Sequence, residues 1–83
     1  MAPNGILTRD VDDPTLRATI VGLATAHLVA NGDTNVVITQ VEHNVSDSSG
    51  AATVYEATFE RDAGSAVLSV TFLANGQHLF QEN

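Results

Sequence analysis

The sequence predicts an α+β domain: a single helix packed on a four- to five-stranded antiparallel meander sheet. Three observations carry that prediction. Asp10-Val11-Asp12-Asp13-Pro14 and Asn31-Gly32-Asp33 bracket one amphipathic run. Four apolar segments follow it, separated by three stretches of turn chemistry. Along those segments the bulky side chains alternate so that one set shares a face.

The elements follow in order. Residues 1–9 hold Ile6 and Leu7 behind Gly5 and read as a mobile lead-in or a short first strand. Asp12 or Asp13 caps the helix through its carboxylate, with Pro14 just inside the start, where its missing N–H costs nothing. Asn31-Gly32 supplies a left-handed stop. At 100° per residue, Leu16, Ile20, Leu23, Ala24, His27 and Ala30 fall on one face, with Leu28 at its edge. Strands are expected near residues 35–45, 51–61, 66–74 and 77–82. The intervening turns are Ser46-Asp47-Ser48-Ser49-Gly50, Asp62-Ala63-Gly64-Ser65 and Asn75-Gly76, the last a strong signal for a two-residue hairpin.

Alternation then sets an expected register. Centring the first hairpin on Ser48 pairs Val37 with Phe59, Thr39 with Ala57 and Val41 with Tyr55. A four-residue second loop pairs Phe59 with Leu68, Ala57 with Val70 and Tyr55 with Phe72. The last turn sets Phe72 opposite Leu79. All these residues share the helix side. The other face then carries Gln40, Glu42, Glu56, Thr58, Glu60, Ser69, Thr71 and Glu82, together with Val36, Ile38, Val54, Val67, Leu73, His78 and Phe80.

Composition excludes several classes. Eighty-three residues, 43% of them hydrophobic, make one domain, residues 1–83, without room for a second core. There is no cysteine, so neither a disulfide framework nor a thiolate metal site is available. Three arginines and no lysine stand against ten acidic residues, a net charge of −7 that disfavours nucleic-acid binding. Ile20 to Ala30 is too short an apolar stretch to span a bilayer, so no membrane partner is expected. Residues 1–9 lack the regions of a signal peptide, which fits a cytoplasmic chain or an exported one whose leader has been removed.

Candidate chemistry is sparse. His27 lies on the apolar helix face, as a hydrogen-bonded core histidine or as the centre of a helix–sheet pocket with Tyr55. His43 is expected on the helix side near Thr53, and His78 on the outer face. A zinc site needs three or four converging ligands, which these do not supply, and no metal or other cofactor is expected. Glu56 and Glu60 are four strand residues apart, roughly 13 Å, too far for a glycosidase pair. Asp10, Asp12 and Asp13 lack the later Gly and Glu of a calcium loop. Ser46, Ser48 and Ser49 have no histidine–acid pair fixed around them. No catalytic residues are assigned, and the chain is expected not to be an enzyme.

The arrangement resembles the cystatin family of cysteine-protease inhibitors, including the plant cystatins. Gly5 precedes Asp10-Val11-Asp12-Asp13-Pro14 as a glycine precedes the helix start in many cystatins, and Ala26 and Asn31 fit the family's helix end. The resemblance implies inhibition by a three-part wedge: Gly5, Ile6 and Leu7; the first loop, Ser46, Asp47, Ser48, Ser49 and Gly50; and the last loop, Ala74, Asn75 and Gly76. The family's first loop reads Gln-x-Val-x-Gly, of which Gly50 is retained, and the Trp of its second loop is absent. The leading expectation is therefore non-enzymatic protein binding, with a papain-like protease as the concrete partner. One alternative is a self-assembling homo-oligomer using Val54, Leu73 and Phe80 on the outer face. Another is a small enzyme or ligand carrier centred on His27.

Overall fold

A computed structural model of the chain describes residues 8–45, 48 and 50–82. The elements run β1 (Thr8–Asp10), α1 (Pro14–Ala30), β2 (Val37–Asn44), β3 (Ala52–Glu60), β4 (Ala66–Leu73) and β5 (His78–Glu82). The five strands form one antiparallel sheet in the order β1-β2-β3-β4-β5. One helix packs on it, the α+β layout that the sequence predicts. Among the described residues no helix is long and apolar enough to cross a membrane.

Both helix ends are closed by local chemistry. Asp13 is the cap: its carboxylate accepts the N–H groups of Thr15 at 2.9 Å and Leu16 at 3.4 Å. Pro14 takes the first helical position, where no donor is needed. At the other end Gly32, at φ +95°, donates to Val29 O, and Asp33 donates to Leu28 O. This pair of bonds is a Schellman stop, and a side chain at Gly32 would oppose its left-handed backbone. Ile20, Ala24 and Leu28, one helical turn apart, are fully buried, as is Val41 on the sheet, and Ala24 and Leu28 form one core cluster with Ala57, Phe59, Leu68 and Val70. Phe59 and Phe72 lie on the same, helix-facing side of the sheet.

Three features of register differ from expectation. In the second hairpin the turn closes tightly, Gly64 N–H donating to Arg61 O around Asp62-Ala63. The pairs therefore move by two, to Phe59 with Ala66, Ala57 with Leu68 and Tyr55 with Val70. An even shift leaves every side chain on its expected face. In the first hairpin Val41 meets Ala57 and His43 meets Tyr55, again an even shift near the loop.

Beyond Val41 a bulge intervenes. Thr39 is an extra residue between the pairs Ile38–Phe59 and Gln40–Thr58, and its hydroxyl donates to Thr58 O at 3.2 Å. The bulge inverts the alternation upstream. Ile38 and Val36 therefore pack against the core rather than lying on the outer face, whereas Val37 is 57% exposed.

The last hairpin differs by one residue. Leu73 N–H donates to Gln77 O and Gly76 N–H to Leu73 O, so the loop is Ala74-Asn75-Gly76 rather than Asn75-Gly76 alone. Gly76 adopts φ +89°, as the third residue of such a loop requires. The odd shift turns β5 over. Phe72 faces His78 and Val70 faces Phe80, so His78, Phe80 and Glu82 lie on the helix side and Leu79 points outward. The expected outer positions of Phe80, His78 and Glu82 are thus corrected.

Candidate functional site: the loop-bearing edge

In a meander, alternate connections emerge at the same end of the sheet. The β2–β3 and β4–β5 connections do so here, and a backbone hydrogen bond from Ala74 N–H to Ala51 O, 3.0 Å, ties them together. The chain also enters the sheet at this end, because Thr8, the first residue of β1, stands opposite Asn44, the last of β2. Gly50, Ala74, Asn75 and Gly76 are exposed along the edge. Of the other expected contact residues, Gly5, Ile6, Leu7, Ser46, Asp47 and Ser49 lie outside the described residues.

Ser48 braces the first loop from beneath. Its hydroxyl donates to Asn44 O at 2.8 Å and accepts Val54 N–H at 2.9 Å. The His43 Nε2 atom lies 3.0 Å away. A serine hydroxyl has one proton, and Asn44 O takes it, so Nε2 of His43 carries the hydrogen of that contact. The second loop is braced by Asn75, whose side-chain oxygen accepts Gln77 N–H at 3.0 Å.

His43 opens a row of rings on the helix side of this end. His43 and Tyr55 lie 5.3 Å apart, Tyr55 and Phe72 5.3 Å, and Phe72 and His78 4.7 Å, the last two pairs edge to face. Such contacts stabilise by about 0.5–1.5 kcal/mol for each aromatic pair and stiffen the floor under both loops. The row was not legible in advance, because it depends on the odd shift that brings His78 to this face. The Ser48–His43 contact had a faint signal, two hydrogen-bonding side chains five residues apart across a turn.

A cleft of about 230 Å³ opens at the row's β1 end, lined by Arg9, Asp12, Asp13, Leu16, His43 and Tyr55 among others. His27 is elsewhere, at the far end of the helix. Its ring stacks on Phe80 at 4.3 Å, and its Nε2 lies 3.1 Å from the Asn31 amide nitrogen. Of the expected pair His27 and Tyr55, Tyr55 lines this cleft, whereas the His27 ring is packed against Phe80.

The outer face is polar across three strands. Asp10, Glu42 and Glu56 stand abreast on β1, β2 and β3. Neutral donors accompany them: Thr8 to Glu42 at 3.1 Å, Asn44 to Glu56 at 3.1 Å and Gln40 to Asp10 at 3.4 Å. Val54 and Leu73 lie on this face as expected, but Leu79 takes the place expected of Phe80. Among the described residues no group of three histidine or carboxylate side chains converges as a metal site would require.

At the opposite end of the sheet Arg61 joins three segments. It bonds Asp33 at 3.1 Å and both carboxylate oxygens of Glu82 at 2.8 and 2.6 Å, with its guanidinium 5.0 Å from the centre of the Phe59 ring. The bond from Arg61 holds the Glu82 carboxyl below its ordinary range. Comparisons of this chain with protein-family models, curated proteins and solved structures give no match.

Proposed function

We propose that this chain is a non-enzymatic protein-binding domain that engages its partner through the loop-bearing edge, acting as an inhibitor of papain-like proteases. The Ala51–Ala74 hydrogen bond carries the reading, because it makes two hairpin loops one continuous ridge beside the entry of β1. The order of elements, with the helix between the first and second strands of a meander, is the layout in which cystatins present their wedge. Gly50, Ala51, Ala74 and Gly76, which flank Asn75 on the described ridge, are small, so backbone can approach a narrow cleft closely. The net charge of −7 steers the domain toward a basic rim.

The non-enzymatic part rests on Ser48. Its proton is held by a main-chain carbonyl and its lone pairs by Val54 N–H and His43, which leaves His43 no proton to abstract from it. Titration of papain-like proteases with the domain, read by hydrolysis of a fluorogenic peptide, tests the reading. Competitive inhibition at micromolar protein is expected, weakened at least tenfold by Ala74→Glu with the unfolding midpoint unchanged. Tenfold corresponds to about 1.4 kcal/mol of lost binding. No inhibition at micromolar concentration overturns the inhibitor role.

A further inference from the structure

We infer that the free edge of β5 is a self-recognition strand that pairs two copies of this chain antiparallel about Phe80. This surface is separate from the loop-bearing edge, so the inference stands or falls independently of the inhibitor reading.

The parity of the last hairpin decides which groups are free. Leu73 N–H bonds Gln77 O, which makes Leu73 and Gln77 a hydrogen-bonded pair. Hydrogen-bonded pairs alternate along an antiparallel ladder. Leu79, opposite Thr71, and Gln81, opposite Ser69, therefore direct their backbone groups toward β4. His78, Phe80 and Glu82 direct theirs away from it. β5 is the last strand of the sheet, so these three N–H and three C=O groups face outward.

Nothing in the strand guards that edge. His-Leu-Phe-Gln-Glu contains no proline and no lysine, and its pairing with β4 has no bulge. The helix packs over β2, β3 and β4, and His27 reaches β5 by stacking on Phe80. The opposite edge is shorter, three residues of β1 that lead directly into the turn before the helix.

A two-fold axis must set free groups against free groups, which an axis at any of the five strand residues does. Centring on Leu79 or Gln81, however, pairs only two of the three free residues, Phe80 with His78 or Phe80 with Glu82. Centring on Glu82 opposes two carboxylates. Centring on His78 opposes two histidines and leaves most of the strand unpaired. Centring on Phe80 pairs the whole strand: Phe80 with Phe80 of the second copy, and His78 with Glu82 at both ends. Each of the three pairs exchanges two backbone hydrogen bonds, and each end sets a histidine against a carboxylate. Arg61 already fixes Glu82 in place, and with Asp33 the cluster keeps one net negative charge for the approaching histidine. On the outer face Leu79, 54% exposed, comes opposite Gln81.

Light scattering and amide hydrogen exchange across a concentration series test this. Mass is expected to rise from 8.7 kDa toward twice that value between micromolar and millimolar protein. The amides of His78, Phe80 and Glu82 should slow at least tenfold over the series, whereas those of Leu79 and Gln81 are protected by β4 at every concentration. His78→Glu sets carboxylates against each other at both ends and should leave the chain monomeric, while His78→Lys restores the dimer. A monomeric mass at millimolar protein overturns the inference. So does a dimer in which the three outward amides exchange at the monomer's rate, or one that His78→Glu leaves intact.

Discussion

Single side chains do much of the work of closing this small fold, and Asp62 shows how. It sits in the β3–β4 turn, yet its carboxylate accepts the Thr34 hydroxyl at 2.6 Å and the Asn35 amide at 3.0 and 3.1 Å. Its own N–H donates to Thr34 O. These bonds hold Asn35 at φ +54°, a left-handed conformation that asparagine tolerates better than most residues. The Thr34 bond, then the Asn35 bond, lowers the Asp62 carboxyl below its ordinary value. A depressed folded-state value means the stabilisation is fully present above the unfolded-state value and is lost as pH falls through the folded one. Asp62→Ala is therefore expected to lower the unfolding midpoint at neutral pH, by a gap that closes as pH drops below the carboxylate range. Thermal unfolding of both proteins from neutral to acid pH checks this. A gap that stays constant into acid would show that the ionised carboxylate is not what matters.

Among the elements, the two parity changes in the sheet give the sharpest contrast. The Thr39 bulge sets Ile38 against the core and leaves Val37 exposed. Ile38→Ala should therefore cost about 2 kcal/mol, the low end for truncating a packed isoleucine. Val37→Ala should stay within about 0.5 kcal/mol. Urea unfolding measures both, and an unbroken ladder would reverse the order. The same pair of residues shows why the sequence left this open. Val36-Val37-Ile38 is three apolar residues in succession, so alternation fits either parity. Leu79-Phe80 poses the same ambiguity at β5, and Asn75-Gly76 signals a turn without saying whether two or three residues form it. The helix bounds were legible because caps are local: Asp13-Pro14 and Asn31-Gly32 need no tertiary partner. The loop-bearing edge was legible because meander topology alone brings alternate connections together. The Ser48–His43 brace depends on the path of the loop backbone, which residue types do not specify.

Across the whole molecule the governing imbalance is charge. Three arginines face ten carboxylates, and Arg61 is engaged at one end of the sheet between Asp33 and Glu82. Asp10, Glu42 and Glu56 meanwhile stand side by side on adjacent strands, an arrangement in which like charges directly opposite destabilise the pairing. Two salt effects compete. Screening weakens the Arg61 ion pairs, but Arg61 is half-buried and bonds Glu82 through both oxygens, so that loss is small. Screening also relieves repulsion over the solvated outer face. At 0.1 M salt the Debye length, about 10 Å, still exceeds the spacing between neighbouring strands, so the relief is partial there and grows as salt is raised toward molar concentration. Relief should win, and the thermal midpoint should rise with added sodium chloride. Glu42 is the middle carboxylate of the row, so Glu42→Gln removes two adjacent repulsions and can still accept the Thr8 hydroxyl. It should stabilise by roughly 0.5 kcal/mol at low salt, within the range for cross-strand pairs, and by less at high salt. Midpoints of the two proteins across a salt series give the answer. A wild-type midpoint that falls with salt would make the Arg61 cluster, rather than the acidic row, the dominant electrostatic feature of the fold.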